Sequence, residues 1–117
     1  MSEGSNRDVV DELLSSVLGD SVGVEESLAK EQALVRIRVE RRKRHLVTVV
    51  EVDSSDVKSI NIEGIAKELK RKLAAGGTVR GNVIEIQGDQ RYRVKRLLVD
   101  MGFREDNILV DEEIVEA

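Results

Sequence analysis

Val35-Arg36-Ile37-Arg38-Val39-Glu40, the basic run Arg41-Arg42-Lys43-Arg44-His45, and Leu46-Val47-Thr48-Val49-Val50-Glu51-Val52 decide the fold of this 117-residue chain. In the first stretch apolar and charged residues alternate with period two. That pattern predicts a strand with one buried face, so Arg36 and Arg38 share the solvent side. The last stretch is rich in β-branched residues and reads as a second strand. The two then form a hairpin with Arg41 to His45 at its tip. Five potentially cationic side chains at a tip have no packing role. Phosphate contact supplies one, since each phosphate neutralised releases condensed counterions without any need for sequence readout. The plainer alternative is a solvated turn that resists edge-to-edge pairing. His45 reads equally well as a turn residue or as a titrating group.

Outward from this hairpin, Asn61 is placed to cap a helix whose apolar stripe is Ile62, Ile65, Ala66, Leu69 and Leu73. Lys67 and Arg71 project from the opposite side, Lys70 lies on the flank, and Gly76-Gly77 ends the helix in this reading. Thr78-Val79-Arg80, Gly81-Asn82 and Val83 to Gln87 form a second hairpin with a tight turn. Asp89 is expected to cap a second helix, with Val94, Leu97, Leu98 and Met101 inward, Arg93, Lys95 and Arg96 elsewhere, and Gly102 as its stop. A short strand, Ile108-Leu109-Val110, follows. The order β-β-α-β-β-α-β predicts an α+β fold, a two-layer sandwich with a mixed sheet of about five strands, two helices on one face and the other face open. Before it, Val10, Leu13, Leu14, Val17 and Leu18 fall at helical spacing with Gly19 as a stop, and Ser21 to Glu26 reads as a linker. The expected division is an acidic segment over 1–29 carrying an amphipathic helix, either mobile or docked on a partner, a folded domain over 30–110, and an acidic tail over 111–117.

Charge follows that division. From Lys30 to Arg104 there are 18 Lys or Arg against 10 Asp or Glu, a net of +8, while each flank carries −6, so the total of −4 conceals a basic body. Such asymmetry points to a surface for a polyanion. With Tyr92 and Phe103 as the only aromatics and no Trp, little is available for stacking on bases. The chain has no Cys and one His, which leaves neither a disulfide framework nor a thiolate or histidine metal cluster, and no cofactor is expected. No apolar run approaches the roughly 20 residues that span a bilayer, and the N-terminus lacks a basic region followed by an apolar one. A cytoplasmic monomer without a membrane partner is the expectation.

Ala75-Gly76-Gly77-Thr78 follows a helix and precedes a strand, the reverse of a phosphate-cradling loop, so its glycines read as a helix stop that also permits close backbone approach. In Gln87-Gly88-Asp89-Gln90-Arg91 turn and capping roles account for the residues. Glu51, Asp53, Glu85 and Asp89 could supply an acid/base pair, but nothing in their spacing sets one carboxylate against another, and no enzyme activity is expected.

At these residues the chain resembles the translation initiation factor one family of the SUI type, its archaeal branch in particular. The resemblance runs from about Lys30 to Asn107. It is carried by Glu31-Gln32, the basic hairpin before Val47-Thr48, Ile65-Ala66-Lys67-Glu68-Leu69-Lys70, Gly76-Gly77-Thr78-Val79, Ile84-Glu85-Ile86-Gln87-Gly88-Asp89 and Met101-Gly102-Phe103. The resemblance implies a non-enzymatic factor that binds small ribosomal subunit RNA near the peptidyl site, beside initiator tRNA and mRNA, and promotes start-codon selection; other initiation factors are further candidate partners. By the same resemblance Arg41 to His45 lie near ribosomal RNA and the tRNA–mRNA pairing region, Lys67, Lys70 and Arg71 meet ribosomal RNA, and Gly76, Gly77, Thr78 and Arg80 lie near tRNA. Arg36 and Arg38 join that RNA-binding set from the wet face of the first strand, and Gln87, Gly88 and Asp89 stand apart from it as the second of the family's paired motifs. The chain departs from the family pattern at the hairpin tip, where Lys43, Arg44 and His45 replace an aromatic and Gly-Lys, and at Val52 and Ala75, where Gly and Cys are common. A paralogue in recycling, reinitiation or stress control, and a protein-interaction module whose basic body meets an acidic partner, remain as alternatives.

Overall fold

A computed structural model describes residues 21–117. The expected helix over Val10 to Leu18 lies outside the described residues. Five strands form one mixed sheet: β1 (Leu34–Arg42), β2 (His45–Asp53), β3 (Gly77–Arg80), β4 (Val83–Gln87) and β5 (Ile108–Glu116), in spatial order β3-β4-β2-β1-β5. Neighbours pair antiparallel except β1 and β5, which run parallel. Helices α2 (Ile62–Leu73) and α3 (Arg91–Asp100) supply the second layer, and α1 (Ser21–Gln32) precedes the sheet.

The period-two reading of β1 holds. Val35, Ile37 and Val39 are buried and their neighbours Arg36, Arg38 and Glu40 are not, because a pleated strand sends alternate side chains to opposite faces. Val50, Val52, Ile84 and Ile86 meet the stripe Ile62, Ile65, Ala66, Leu69 and Leu73 of α2 and Val94 and Leu98 of α3 in one core. Fully burying a side chain such as Leu69 contributes about 2 kcal/mol. Asn61 caps α2 as its sequence position predicts, its side chain accepting from the Gly64 N–H at 3.0 Å. Gly81-Asn82 makes the tight β3–β4 turn with Gly81 at φ +60, and Gly102 follows α3 at φ +107.

Four expectations need correction. Ser21 to Glu26 is not a linker but the first half of α1. Among the residues of that helix whose side chains are described, only Ala29 is buried while Val24 and Leu28 are exposed, so Val24 and Leu28 do not mark the face that docks. Beside Ala29, which joins the core, the docking contacts are polar: Glu26 accepts from the Asn61 N–H, Lys30 donates to the Met101 carbonyl at 3.0 Å, and the Glu31 carbonyl accepts from Asn107. The supposed tail, residues 111–116, continues β5. A bulge opposite Ile37 to Val39 absorbs the charged stretch, after which Ile114, Val115 and Glu116 pair with Val39, Glu40 and Arg41. The glycines after α2 are not its stop, since Ala74 takes the left-handed conformation at φ 50 and the Ala75 N–H closes on the Lys70 carbonyl. Asp89 is not the N-cap of α3; Gln90 holds that position, and the Asp89 carboxylate is engaged by Arg91.

Candidate functional site

Three loops meet at one end of the sheet. β1 and β2 join there through Lys43-Arg44, α2 returns through Ala74 to Gly76, and β4 leaves through Gln87-Gly88. The Gln87 N–H donates to the Gly76 carbonyl at 2.9 Å and the Gly88 N–H to the Leu46 carbonyl at 2.7 Å, so the Gly-Gly and Gln-Gly-Asp motifs are physically joined. A groove of about 510 Å³ lies along Arg42 to Val47, Gln87 and Gly88.

Gly77 shows why the first motif needs glycine. A Cβ there would stand 2.3 Å from the Glu85 carbonyl oxygen and 2.9 Å from the Ile86 side chain. Close approach is therefore to β4 of the same chain. Thr48 holds the second motif. It is fully buried, donates its hydroxyl to the Gly88 carbonyl at 2.7 Å, and accepts from the Gln90 N–H at 2.8 Å. Asp89 then holds Arg91, whose guanidinium donates to the carbonyls of Asp111 and Glu112 in the β5 bulge.

The tip itself is smaller than the sequence suggests. Arg41, Arg42 and His45 belong to the β1–β2 ladder, and Lys43-Arg44 alone make the turn. Lys43 adopts φ 56, a left-handed conformation that costs a non-glycine residue about 1 kcal/mol. Lys43, Arg44 and His45 are all exposed, and none has an ion-pair partner among the described residues. Arg42 differs. It donates to Glu40 at 2.7 Å and to Glu85 at 2.9 Å, and those two carboxylates are only 15% and 13% exposed. Arg38 binds Glu40 and Glu51 in the same way at 2.9 and 2.7 Å. The Arg42 hydrogen bonds hold the Glu40 and Glu85 carboxyls below the usual carboxylate range, and the pairs raise both guanidinium groups above theirs. The open face of the sheet is thus an internal ion-pair ladder over Val49, which is 1% exposed between its cross-strand neighbours Arg38 and Glu85.

On the helix layer, the last turn of α2 carries Lys70, Arg71 and Lys72 to the same end as the hairpin tip, with Lys67 one turn back. Arg71 pairs with Glu68 at 2.9 Å on the exposed surface, while Lys67, Lys70 and Lys72 have no ion-pair partner among the described residues. Thr78, the second residue of β3, lies there and donates its hydroxyl to Glu85 at 3.4 Å. Arg36 and Arg80 are not brought to this end. Arg36 pairs in register with Glu51 near the far end of β2, and Arg80, the last residue of β3, with Val83 at the far end of β4. The expected set therefore divides into a cationic end (Lys43, Arg44, His45, Lys67, Lys70, Arg71, Gly76, Gly77 and Thr78), a structural ladder (Arg38 and Arg42), Arg41 near the end of β1 between β2 and β5, and two distant residues.

A family model described as translation initiation factor SUI1 matches residues 31–104. The chain belongs to the SUI1 family of translation initiation factors. It is 53% identical over 88 residues to the protein translation factor SUI1 homolog of Sulfolobus acidocaldarius, covering 74% of this chain and 87% of that protein. The homolog of Hyperthermus butylicus is 45% identical over 87 residues, covering 74% and 84%, and that of Thermococcus gammatolerans 49% over 83 residues, covering 70% and 83%. The SUI1 match takes in α2, α3, both hairpins and their motifs and stops before β5. The SUI1 family is not a class of enzymes. Glu51, Glu85 and Asp89 each pair with an arginine. Among the described residues no group of three or more His, Cys, Asp or Glu is placed to hold a metal, and no helix is long and apolar enough to cross a membrane.

Two residues of this site escaped the sequence reading. Thr48 could have been found, since it is the one polar residue on the inward register of β2, between Leu46, Val50 and Val52. Arg91 could not, because its partners are backbone carbonyls twenty residues away.

Proposed function

We propose that the protein binds RNA of the small ribosomal subunit through its cationic end and promotes accurate start-codon selection by gating accommodation of initiator tRNA. The observation that carries this reading is the gathering of Lys43 and Arg44, unpaired among the described residues, with Lys67 and Lys70 at one end of the fold, the end where the loops Gly76 to Thr78 and Gln87-Gly88 lie. Salt bridges already satisfy Arg38 and Arg42 in partly buried positions, so they hold the sheet and do not grip phosphate. The tip and the last turn of α2 grip ribosomal RNA, and the hairpin stands where tRNA must settle. A tRNA paired with a correct codon displaces the factor and a mismatched one does not. A coupling of about 1 to 3 kcal/mol between these two ligands changes selection by about 5- to 150-fold.

The test replaces Lys43 and Arg44 with Ala and measures binding to purified small subunits across a salt series, with initiation at AUG and near-cognate codons read alongside. Binding weakens, and the logarithmic salt slope flattens by about 1.4 to 1.8, as expected for two phosphate contacts. Unchanged affinity with an unchanged slope removes the hairpin from the mechanism.

A further inference from the structure

The C-terminal strand ends beside the cationic end. In β5 Glu116 pairs in register with Arg41 of β1, its carboxylate accepts from the Arg41 Nε at 3.2 Å, and the Ala117 N–H donates to the Arg41 carbonyl at 3.0 Å. This contact lies beyond residue 104, where the family match stops. It also differs in kind from the Arg42 pairs. Both partners are open to water, with side chains 48% and 69% exposed, against 13% and 15% for the carboxylates that hold Arg42. An exposed pair exchanges readily for another anion, whereas a partly buried one leaves an uncompensated charge when it opens.

The strand reaches Arg41 only because its bulge is held. Between the pairs Ile37–Val110 and Val39–Ile114 the register shifts. At that point the Arg91 guanidinium donates to the Asp111 carbonyl at 2.9 Å and to the Glu112 carbonyl at 2.6 Å. Asp89 fixes the guanidinium through bonds of 2.9 and 2.7 Å, and the Arg91 side chain is 11% exposed. An edge strand with three acidic residues in its bulge, Asp111, Glu112 and Glu113, would otherwise have little reason to rejoin β1.

We propose that Glu116 is a specificity-determining residue, an internal counter-ion that an RNA phosphate must displace to reach Arg41, and that Asp89 and Arg91 are positioning residues that bring it there. This rests on the RNA-binding reading above. A lone phosphate on a disordered RNA gains little by replacing a carboxylate already in place. A folded site that also engages Lys43, Arg44 and Lys70 gains enough from those contacts to complete the exchange. The pair therefore discounts non-specific RNA more than the intended site.

The experiment uses the full chain, a single-stranded 20-nucleotide oligouridine as the non-specific probe, and purified small subunits. Glu116→Gln raises oligouridine affinity about two- to five-fold, the size expected of an exposed pair, and steepens its salt slope by about 0.7. Subunit affinity changes less. In an Arg41→Ala background the same substitution has no effect. Asp89→Asn, which keeps the side-chain shape, gives the same gain on oligouridine together with faster amide exchange at Ile114 to Glu116. If Glu116→Gln leaves oligouridine binding unchanged, or raises it equally without Arg41, the proposal fails. Lys43→Ala with Arg44→Ala is run alongside: loss of binding there with no response to Glu116→Gln overturns the counter-ion alone, and no response to either overturns RNA binding as well.

Discussion

Gly76 and Gly77 are adjacent, and neither has a positive φ, yet the structure separates their tolerance of a side chain sharply. At Gly77 the added Cβ of an Ala would lie 2.3 Å from the Glu85 carbonyl oxygen, about 1 Å inside the closest ordinary contact, and 2.9 Å from Ile86 Cδ1. Backbone is the obstacle, so no rotamer change relieves it. β3 must move away from β4 by about that distance, which lengthens the pairing at Gly77–Ile86 and pulls on the bond from the Gln87 N–H to the Gly76 carbonyl. Overpacking of this kind costs about 1 to 3 kcal/mol. At Gly76 the nearest atoms, at 3.2 Å, belong to the far end of the exposed Gln87 side chain, which can turn aside. There the expected change is within about 0.5 kcal/mol, as for surface substitutions generally. Urea denaturation of Gly77→Ala and Gly76→Ala, read by far-ultraviolet circular dichroism, measures both. A Gly77→Ala protein as stable as the parent, or a Gly76→Ala protein equally damaged, refutes the close-approach account of the motif.

Thr48→Val removes a hydroxyl that serves as both donor and acceptor, leaves the Gly88 carbonyl and Gln90 N–H unsatisfied in a buried place, and costs about 1 to 3 kcal/mol by thermal or urea unfolding, while Thr48→Ser recovers much of it. Ala74→Gly places glycine at the left-handed residue that ends α2 and stabilises the protein by about 1 kcal/mol in the same assay; a loss of stability would show that the position is not strained. The pH dependence follows from the Glu40 and Glu85 carboxyls, which the folded state depresses chiefly through hydrogen bonds from Arg42. Their contribution is complete above the unfolded carboxylate range, near pH 4.3 for Glu, and is lost as pH falls through the depressed folded values. Glu85→Gln should therefore lower stability at neutral pH and flatten its decline below about pH 4.5; an acid limb unchanged in Glu85→Gln would show that the ladder does not govern it.

Most of the architecture was legible because period-two alternation in β1 and the stripe of α2 are dictated by burial, which local sequence records directly. What escaped was set by partners distant in sequence. Nothing within α1 shows that Ala29 and Lys30 rather than Val24 and Leu28 dock on the body, because the anchors, Met101 and Asn107, lie more than seventy residues away. The last six residues of β5 read as a tail for the same reason: their charge argues against a strand until Arg91 and Arg41 are seen to receive them. At the candidate site, a basic run identifies cations but not their employment. Arg42 and Lys43 are neighbours in sequence, yet one is held by Glu40 and Glu85 and the other turns into solvent. Only the register of β1 against β2 and of β2 against β4 decides which is which.

That register also explains how so charged a domain keeps its ion-paired cations apart from those proposed to bind RNA. Arg38 and Arg42 alternate with Glu40 along one face of β1, and diagonal neighbours on β2 and β4 bring in Glu51 and Glu85, so each guanidinium meets two carboxylates in a layer partly shielded from water. Pairs in such a place resist salt far better than exposed ones, whose attraction fades over a Debye length of about 8 Å at physiological ionic strength. The outcome is a division by burial. The ladder keeps its partners as salt rises, while Lys43, Arg44 and Lys70 face solution ions, which the proposed function exchanges for phosphate. A sheet face composed only of arginines would bind polyanions more strongly but would repel itself across the β1–β2 ladder, and Glu40, Glu51 and Glu85 convert that repulsion into the packing that orients the hairpin.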